Sequence, residues 1–113
     1  MHTKYKGHAG EIAAALLLIL KGYRILARRY RTSCGEIDII AKRGKLVIFV
    51  EVKVRRDLQK CSDAVTYRQV QRIRRASEIF LQRRRDLKEC QTRYDVILMA
   101  GWQLPVHIEN ITL

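Results

Sequence analysis

Residues 35–55 read Gly35-Glu36-Ile37-Asp38-Ile39-Ile40-Ala41-Lys42, then Arg43-Gly44, then Lys45-Leu46-Val47-Ile48-Phe49-Val50-Glu51-Val52-Lys53-Val54-Arg55. Two apolar runs joined by a short turn signal predict a β-hairpin, with strands over Glu36–Lys42 and Lys45–Val54 and a turn at Arg43-Gly44. In the second run Leu46, Ile48, Val50, Val52 and Val54 share one face, and Val47, Phe49, Glu51 and Lys53 share the other, by the period-two rule. Both faces are apolar for most of the length. The run therefore predicts a central strand, covered on both sides.

The flanks supply the covers. Upstream, the apolar run from Ile12 to Leu20, rich in alanine and leucine, predicts a helix over about His8 to Lys21 that stops at Gly22. A helix apolar nearly all round is expected to be covered on most sides. Arg24 to Arg31 reads as a further strand and Arg55 to Ser62 as a polar loop. A second helix is expected from about Tyr67 to Arg85, with Val70, Ile73, Ala76, Ser77, Phe80 and Leu81 inward. Arg93 to Ala100 and Val106 to Ile111 complete the order α-β-β-β-α-β-β. This is an α/β fold, a mixed central sheet of four to five strands flanked by helices. No linker or repeat divides the chain, so residues 1–113 are expected to form a single domain.

Composition narrows the partners. The 113 residues are 48% apolar and 30% charged, which excludes a disordered or collagen-like chain. The formal net charge of +12 points to a polyanion, DNA first and RNA not excluded. Cys34, Cys61 and Cys90 show neither disulfide nor zinc spacing and fit a reducing, cytoplasmic setting. The Ile12–Leu20 run is too short to cross a bilayer, and Lys21, Arg24, Arg28 and Arg29 behind it argue against an export signal, so no membrane is expected. His2, His8 and His107 show no metal spacing and are expected at the surface. Trp102 is expected to pack rather than to stack a base.

The scarce acids carry the chemistry. Asp38 lies among Ile37, Ile39 and Ile40. Glu51 lies between Val50 and Val52, and Glu11 heads the most apolar helix. A bare carboxylate in such surroundings is costly unless paired or bound to a cation. Asp38 and Glu51 sit on adjacent strands of one hairpin, and Lys53 points the same way as Glu51. Two carboxylates with a lysine fit metal-assisted phosphodiester hydrolysis, since Mg²⁺ needs only one or two carboxylates besides water and substrate phosphate. A structural ion cluster is the alternative reading of the same residues. Glu36 alternates toward Asp38 at the strand entrance. Asp95 is expected to pair with Arg93 or a turn amide. Arg55, Arg56 and the row Arg68, Arg72 and Arg75 are candidate phosphate contacts; a solvated helix face is the plainer account of the row.

The stretches G-E-I-D-I-I and F-V-E-V-K-V-R resemble the D-x(n)-[DE]-x-K core of the restriction-endonuclease-like PD-(D/E)XK superfamily, with 12 residues between Asp38 and Glu51. Gly10-Glu11, Lys21-Gly22-Tyr23, Arg31 and Arg93-Tyr94-Asp95-Val96-Ile97 extend the resemblance along nearly the whole chain, to the small bacterial YraN family. The resemblance implies Asp38 and Glu51 as ligands of Mg²⁺ or Mn²⁺, with the backbone carbonyl of Val52 as a further ligand and Lys53 as the catalytic lysine. Glu11 matches a first-helix glutamate of archaeal Holliday junction resolvases, and Arg31 joins the nucleic-acid contacts. Gln69 stands where relatives often carry a lysine. The activity implied is that of a metal-dependent endonuclease acting on DNA, branched or single-stranded, by structure rather than sequence. A homodimer would suit two symmetric cuts. A non-catalytic nucleic-acid-binding protein with the same fold, and a basic adaptor for an acidic protein, are the alternatives.

Overall fold

The computed structural model describes residues 2–55, 67–100 and 104–110, with side chains from residue 9 onward. Its elements are helix α1 (His2–Leu20), strands β1 (Arg24–Arg31), β2 (Glu36–Arg43) and β3 (Leu46–Arg55), helix α2 (Tyr67–Gln82), a 3-10 turn (Arg85–Leu87), and strands β4 (Gln91–Ala100) and β5 (Val106–Ile108). The five strands form one mixed sheet in the order β1-β2-β3-β4-β5. β3 pairs antiparallel with β2 and parallel with β4, so it is central, as its two apolar faces require. The parallel step from β3 to β4 needs a crossover, and α2 lies within it.

The element order is the expected one, and the boundaries shift for local reasons. The hairpin closes at Arg43↔Leu46, so its two-residue loop is Gly44-Lys45 rather than Arg43-Gly44. The first loop position has φ +61°, which glycine adopts at no steric cost. α2 ends at Gln82, short of Arg85, and the chain continues into the 3-10 turn. The expected loop over Arg55–Ser62 lies almost wholly outside the described residues, as do Arg56, Cys61 and Trp102.

The sheet separates two apolar layers. Toward α1, Ala14, Ala15 and Leu18 pack on Ile39, Ala41, Ile48, Val50 and Ile97. Toward α2, Ile73, Ala76 and Phe80 pack on Ile37, Ile40, Val47 and Phe49. Phe80 meets Tyr30 and Phe49 edge-on, at centroid distances of 5.2 and 6.2 Å. α1 is not covered on most sides. Ile12, Leu16, Ile19 and Leu20 stay exposed on its outer side, Leu20 at 86%. A helix laid on one face of a sheet buries only the stripe beneath it, whatever its outer residues are.

A buried polar network ties the far edge of the sheet to the start of β1. Asp95 on β4 is fully buried and accepts both guanidinium bonds of Arg93 at 2.9 Å, a bond involving His107 Nε2 at 2.8 Å, and the Asn110 amide at 3.0 Å. Arg93 also donates to the Tyr23 hydroxyl, and Lys21 lies 2.8 Å from His107 Nδ1. The pairing of Asp95 with Arg93 and a turn amide is the expected one. His107 is not at the surface. Strand alternation turns it inward between exposed Val106 and Ile108, onto Asp95.

Burial pushes the Asp95 carboxyl up, but the bonds from His107, Arg93 and Asn110 outweigh it and hold its pKa at about 2. Its stabilising effect is therefore complete above the ordinary value of 3.8 and is lost as the pH falls through about 2. Asp95→Asn leaves Arg93 only the exposed Glu109, 3.6 Å away, as a counter-ion and should lower the unfolding free energy at pH 7 by about 3 kcal/mol. Urea denaturation of the variant beside wild type measures this; an unchanged midpoint would mean that the network does not hold the edge.

Candidate functional site

β2 and β3 run in register from the hairpin turn to the Ile39↔Val50 pair, and there the ladder stops. The next ladder donor on β3, the Val52 N–H, bonds instead to Asp38 Oδ2 at 2.8 Å. A side-chain oxygen thus takes the place of a backbone acceptor, and the strands part around it. The change is visible in the packing. Ile37 joins the α2 layer and Ile39 the α1 layer, although regular alternation would put them on one face. Across β1, Arg29 lies opposite the same point with φ +53°, a left-handed conformation that is uncommon outside glycine.

The parting opens a cleft of about 210 Å³ between the sheet and the first turns of α2, lined by Glu36, Asp38, Glu51, Gln69 and Arg72 among others. Gly35 lets α2 come this close. A Cβ there would stand 3.0 Å from Arg72 Cβ and 3.3 Å from its carbonyl oxygen. Asp38 and Glu51 are within hydrogen-bonding reach of each other. Burial pushes the Asp38 carboxyl up to about 7. The Glu51 charge adds to the rise and the Val52 amide opposes it. Burial also raises Glu51, opposed by the Lys53 ammonium 3.3 Å from its Oε2. Lys53 is itself buried, at 6% exposure. Asp38, Glu51 and Lys53 are therefore brought together as the sequence pattern anticipates.

This donor set fits a hard divalent cation. Two neighbouring carboxylates whose charged forms are both disfavoured by burial offer oxygen ligands that a cation would stabilise. The Val52 carbonyl lies on the same side of β3 as its N–H, toward the gap, because a strand residue directs both groups to one neighbour. Glu11 does not complete a third carboxylate. Among the described residues no three His, Cys, Asp or Glu side chains gather closely enough to hold an ion. Glu11 is not at the head of its helix either, since α1 begins at His2. It is buried, held by Arg29 Nε at 3.0 Å, and its charge reaches Asp38. Gly10 sets its position. A Cβ at Gly10 would collide with Val54 Cγ2, so α1 crosses directly against the end of β3.

The arginines divide. Arg72 lines the cleft, while Arg68 and Arg75 are exposed one turn either side on the same face of α2. Arg31 lies outside, 3.4 Å from Glu36. Arg55 turns back to bond the Val54 carbonyl at 2.8 Å. One residue of the site escapes the sequence reading. Arg29 looks like one more cation in the Arg28-Arg29 pair, and only its backbone and its bond to Glu11 set it apart. Glu36, expected on the face of Asp38 at the strand entrance, lines the cleft wall.

Fold and site together define a small mixed-sheet α/β protein with a half-buried acid pair in a cleft beneath an arginine-bearing helix, and a buried lysine beside one of the acids. The chain belongs to the uncharacterised protein family UPF0102, whose model matches residues 10–99. A UPF0102 protein of Mesorhizobium japonicum is 50% identical over 105 residues, 93% of this chain and 84% of its own length. A relative in Sinorhizobium medicae is also 50% identical, over 93% of this chain and 86% of its own. One in Brucella canis is 44% identical over 104 residues, 92% of this chain and 82% of its own.

The raised Asp38 pKa has a consequence for stability. Between the ordinary value of 3.8 and about 7 the folded chain holds a proton that the unfolded chain releases, so stability falls as the pH rises through this window. Asp38→Asn removes that dependence. Its melting temperature relative to wild type should be higher at pH 8 than at pH 5, and thermal scans at the two values read the difference. Equal differences at both values would place the Asp38 pKa near normal.

Proposed function

We propose that this protein is a metal-dependent nuclease that hydrolyses DNA phosphodiesters and selects its substrate by structure rather than by base sequence. The observation that carries the reading is the meeting of Asp38 and Glu51 in one cleft, with Lys53 buried against Glu51 at 3.3 Å and Arg72 of α2 in the cleft lining. It agrees with the resemblance to restriction-endonuclease-like enzymes and archaeal Holliday junction resolvases. The cofactor in this proposal is Mg²⁺ or Mn²⁺, held by Asp38, Glu51 and the Val52 carbonyl, with Glu11 as an outer carboxylate. Such an ion polarises a phosphoryl oxygen and makes a bound water more acidic. Lys53 holds negative charge that develops on the phosphate and orients the attacking water. Arg72, with Arg68 and Arg75 beyond it, binds the backbone on either side of the scissile phosphate. The cytoplasm, where nucleic acid and reduced thiols coexist, is the compartment this reading calls for.

Gln69 favours a second reading. It lines the cleft where the resemblance expects a lysine, and it brings no charge. A protein that binds nucleic acid without cutting it would show steep salt dependence of binding and no metal-dependent turnover. Incubation with end-labelled four-way junction, single-stranded and duplex DNA, in Mg²⁺, Mn²⁺ or EDTA, separates the two. Metal-dependent cutting is expected. Lys53→Ala should lower its rate by about 10²–10³ with DNA affinity nearly intact, the usual cost of removing one charge-stabilising donor. Loss of binding in step with cleavage would deny Lys53 a catalytic role.

The proposal includes a twofold pair of chains. Ile12, Leu16, Ile19 and Leu20 form a straight stripe without charge on a chain of +12, so two copies can meet there without opposing cations. Sedimentation should show a dimer that Leu16→Glu converts to monomer, in the absence of any nucleic acid. A wild-type monomer at tens of micromolar would remove this part alone.

A further inference from the structure

Beyond the cleft, a second and larger hollow, of about 550 Å³, lies at the other end of α2. That is within the range of small-ligand sites. Its floor is apolar, made by Leu81, Leu87 and Cys90, with Leu87 only 2% exposed. Two cations, Arg85 and Lys88, stand over it. Neighbouring Arg84 is taken by Asp86 through two bonds of 2.9 Å, whereas Arg85 and Lys88 make no ion pair among the described residues. Gln82 and Thr92 add an amide and a hydroxyl to the walls. An apolar ligand has no use for two unpaired cations, and a bare anion has no use for the floor. A ligand with flat apolar faces, polar edges and an anionic group uses all of it, and a nucleotide has that chemistry.

The position agrees. Residues 68, 72, 75, 79 and 82 recur every three or four positions and share one face of α2. That face carries Arg72 at the cleft, Arg75 in mid-helix and Gln82 at the hollow. Ten residues of helix span about 15 Å, which one strand of duplex covers in about four or five nucleotides. We infer that the hollow binds a nucleoside monophosphate unit, with its base on Leu81, Leu87 and Cys90 and its phosphate on Arg85 and Lys88. The unit is either a free nucleotide or an unpaired residue of the strand engaged at the cleft; the second source rests on the nuclease reading.

Cys90 reports occupancy. In a Cys34→Ser/Cys61→Ser variant it is the remaining thiol, and its reaction with an aromatic disulfide reagent can be timed in EDTA, without cleavage. Thymidine monophosphate at about twice its dissociation constant should slow the reaction about threefold. Arg85→Ala/Lys88→Ala should abolish that protection while leaving the fold, checked by circular dichroism, unchanged. A six-nucleotide oligothymidylate is the second arm, and protection by it alone would assign the site to the strand. Equal protection by inorganic phosphate at matched ionic strength, or protection by neither nucleotide form, would overturn the inference. Calorimetric titration of the wild-type chain with the same three ligands gives the answer without altered thiols. Asp38→Asn should not affect protection by the free monophosphate, so a failed nuclease and a failed nucleotide site remain distinguishable.

Discussion

The bond from the Val52 amide to the Asp38 carboxylate is the constraint on which the rest of the site depends. An antiparallel ladder that ran on would pair Val52 with a backbone carbonyl of β2 and leave no gap. By accepting that amide, Asp38 satisfies a donor that burial would otherwise make costly, and β2 is free to leave. The same carboxylate is then held at the mouth of the gap, close to Glu51. Fold and chemistry share one atom group here. A substitution that removed only the charge would keep the opening, and one that removed the acceptor would endanger it.

Strain and close approach gather around this point, where they are expected when geometry serves a purpose. Arg29 takes its left-handed backbone opposite the parting and spends its side chain on Glu11. Gly35 admits α2 from one face of the sheet, and Gly10 admits α1 from the other. Both approaches fall within a few residues of Asp38 or at the end of β3. The hairpin glycine, Gly44, serves only its turn; a Cβ there would meet nothing within 4 Å.

The sequence showed the sheet because its strongest signals are local. Apolar alternation over residues 46–54 places Glu51 and Lys53 on the face of Phe49, and the structure keeps them there. The inner stripe of α2 was legible for the same reason. What escaped was whatever depends on a distant partner. His107 reads as a stray surface histidine until β5 folds against β4 and sets it on Asp95. Arg29 is one of fifteen arginines, and nothing in its neighbours marks a left-handed residue. The start of α1 was missed by six residues, because Lys4, Lys6 and Gly7 weaken a periodic signal that begins only at Ile12. The bareness of its outer side was missed because hydropathy reports what a residue prefers, not what lies over it.

Charge settles how the cleft and the surface work together. A chain of +12 should favour ionised carboxylates everywhere, yet Asp38 keeps its proton to about 7. Range decides between the two influences. At physiological salt, exposed charges are largely screened beyond about 8 Å, so the arginines of the surface act weakly on a buried acid. Burial and the neighbouring Glu51, Glu11 and Glu36 act within the cleft, where screening is slight. The molecule is therefore basic to a polyanion arriving from solution and acidic at the one place where Asp38 and Glu51 meet. A phosphate drawn in by the arginines would stop at that boundary, repelled by the acids, unless a proton or a cation stood between them. Lys53 supplies one positive charge and already spends it on Glu51. Asp38 has no ion-pair partner among the described residues, and the proton it keeps to about 7 takes the place of one.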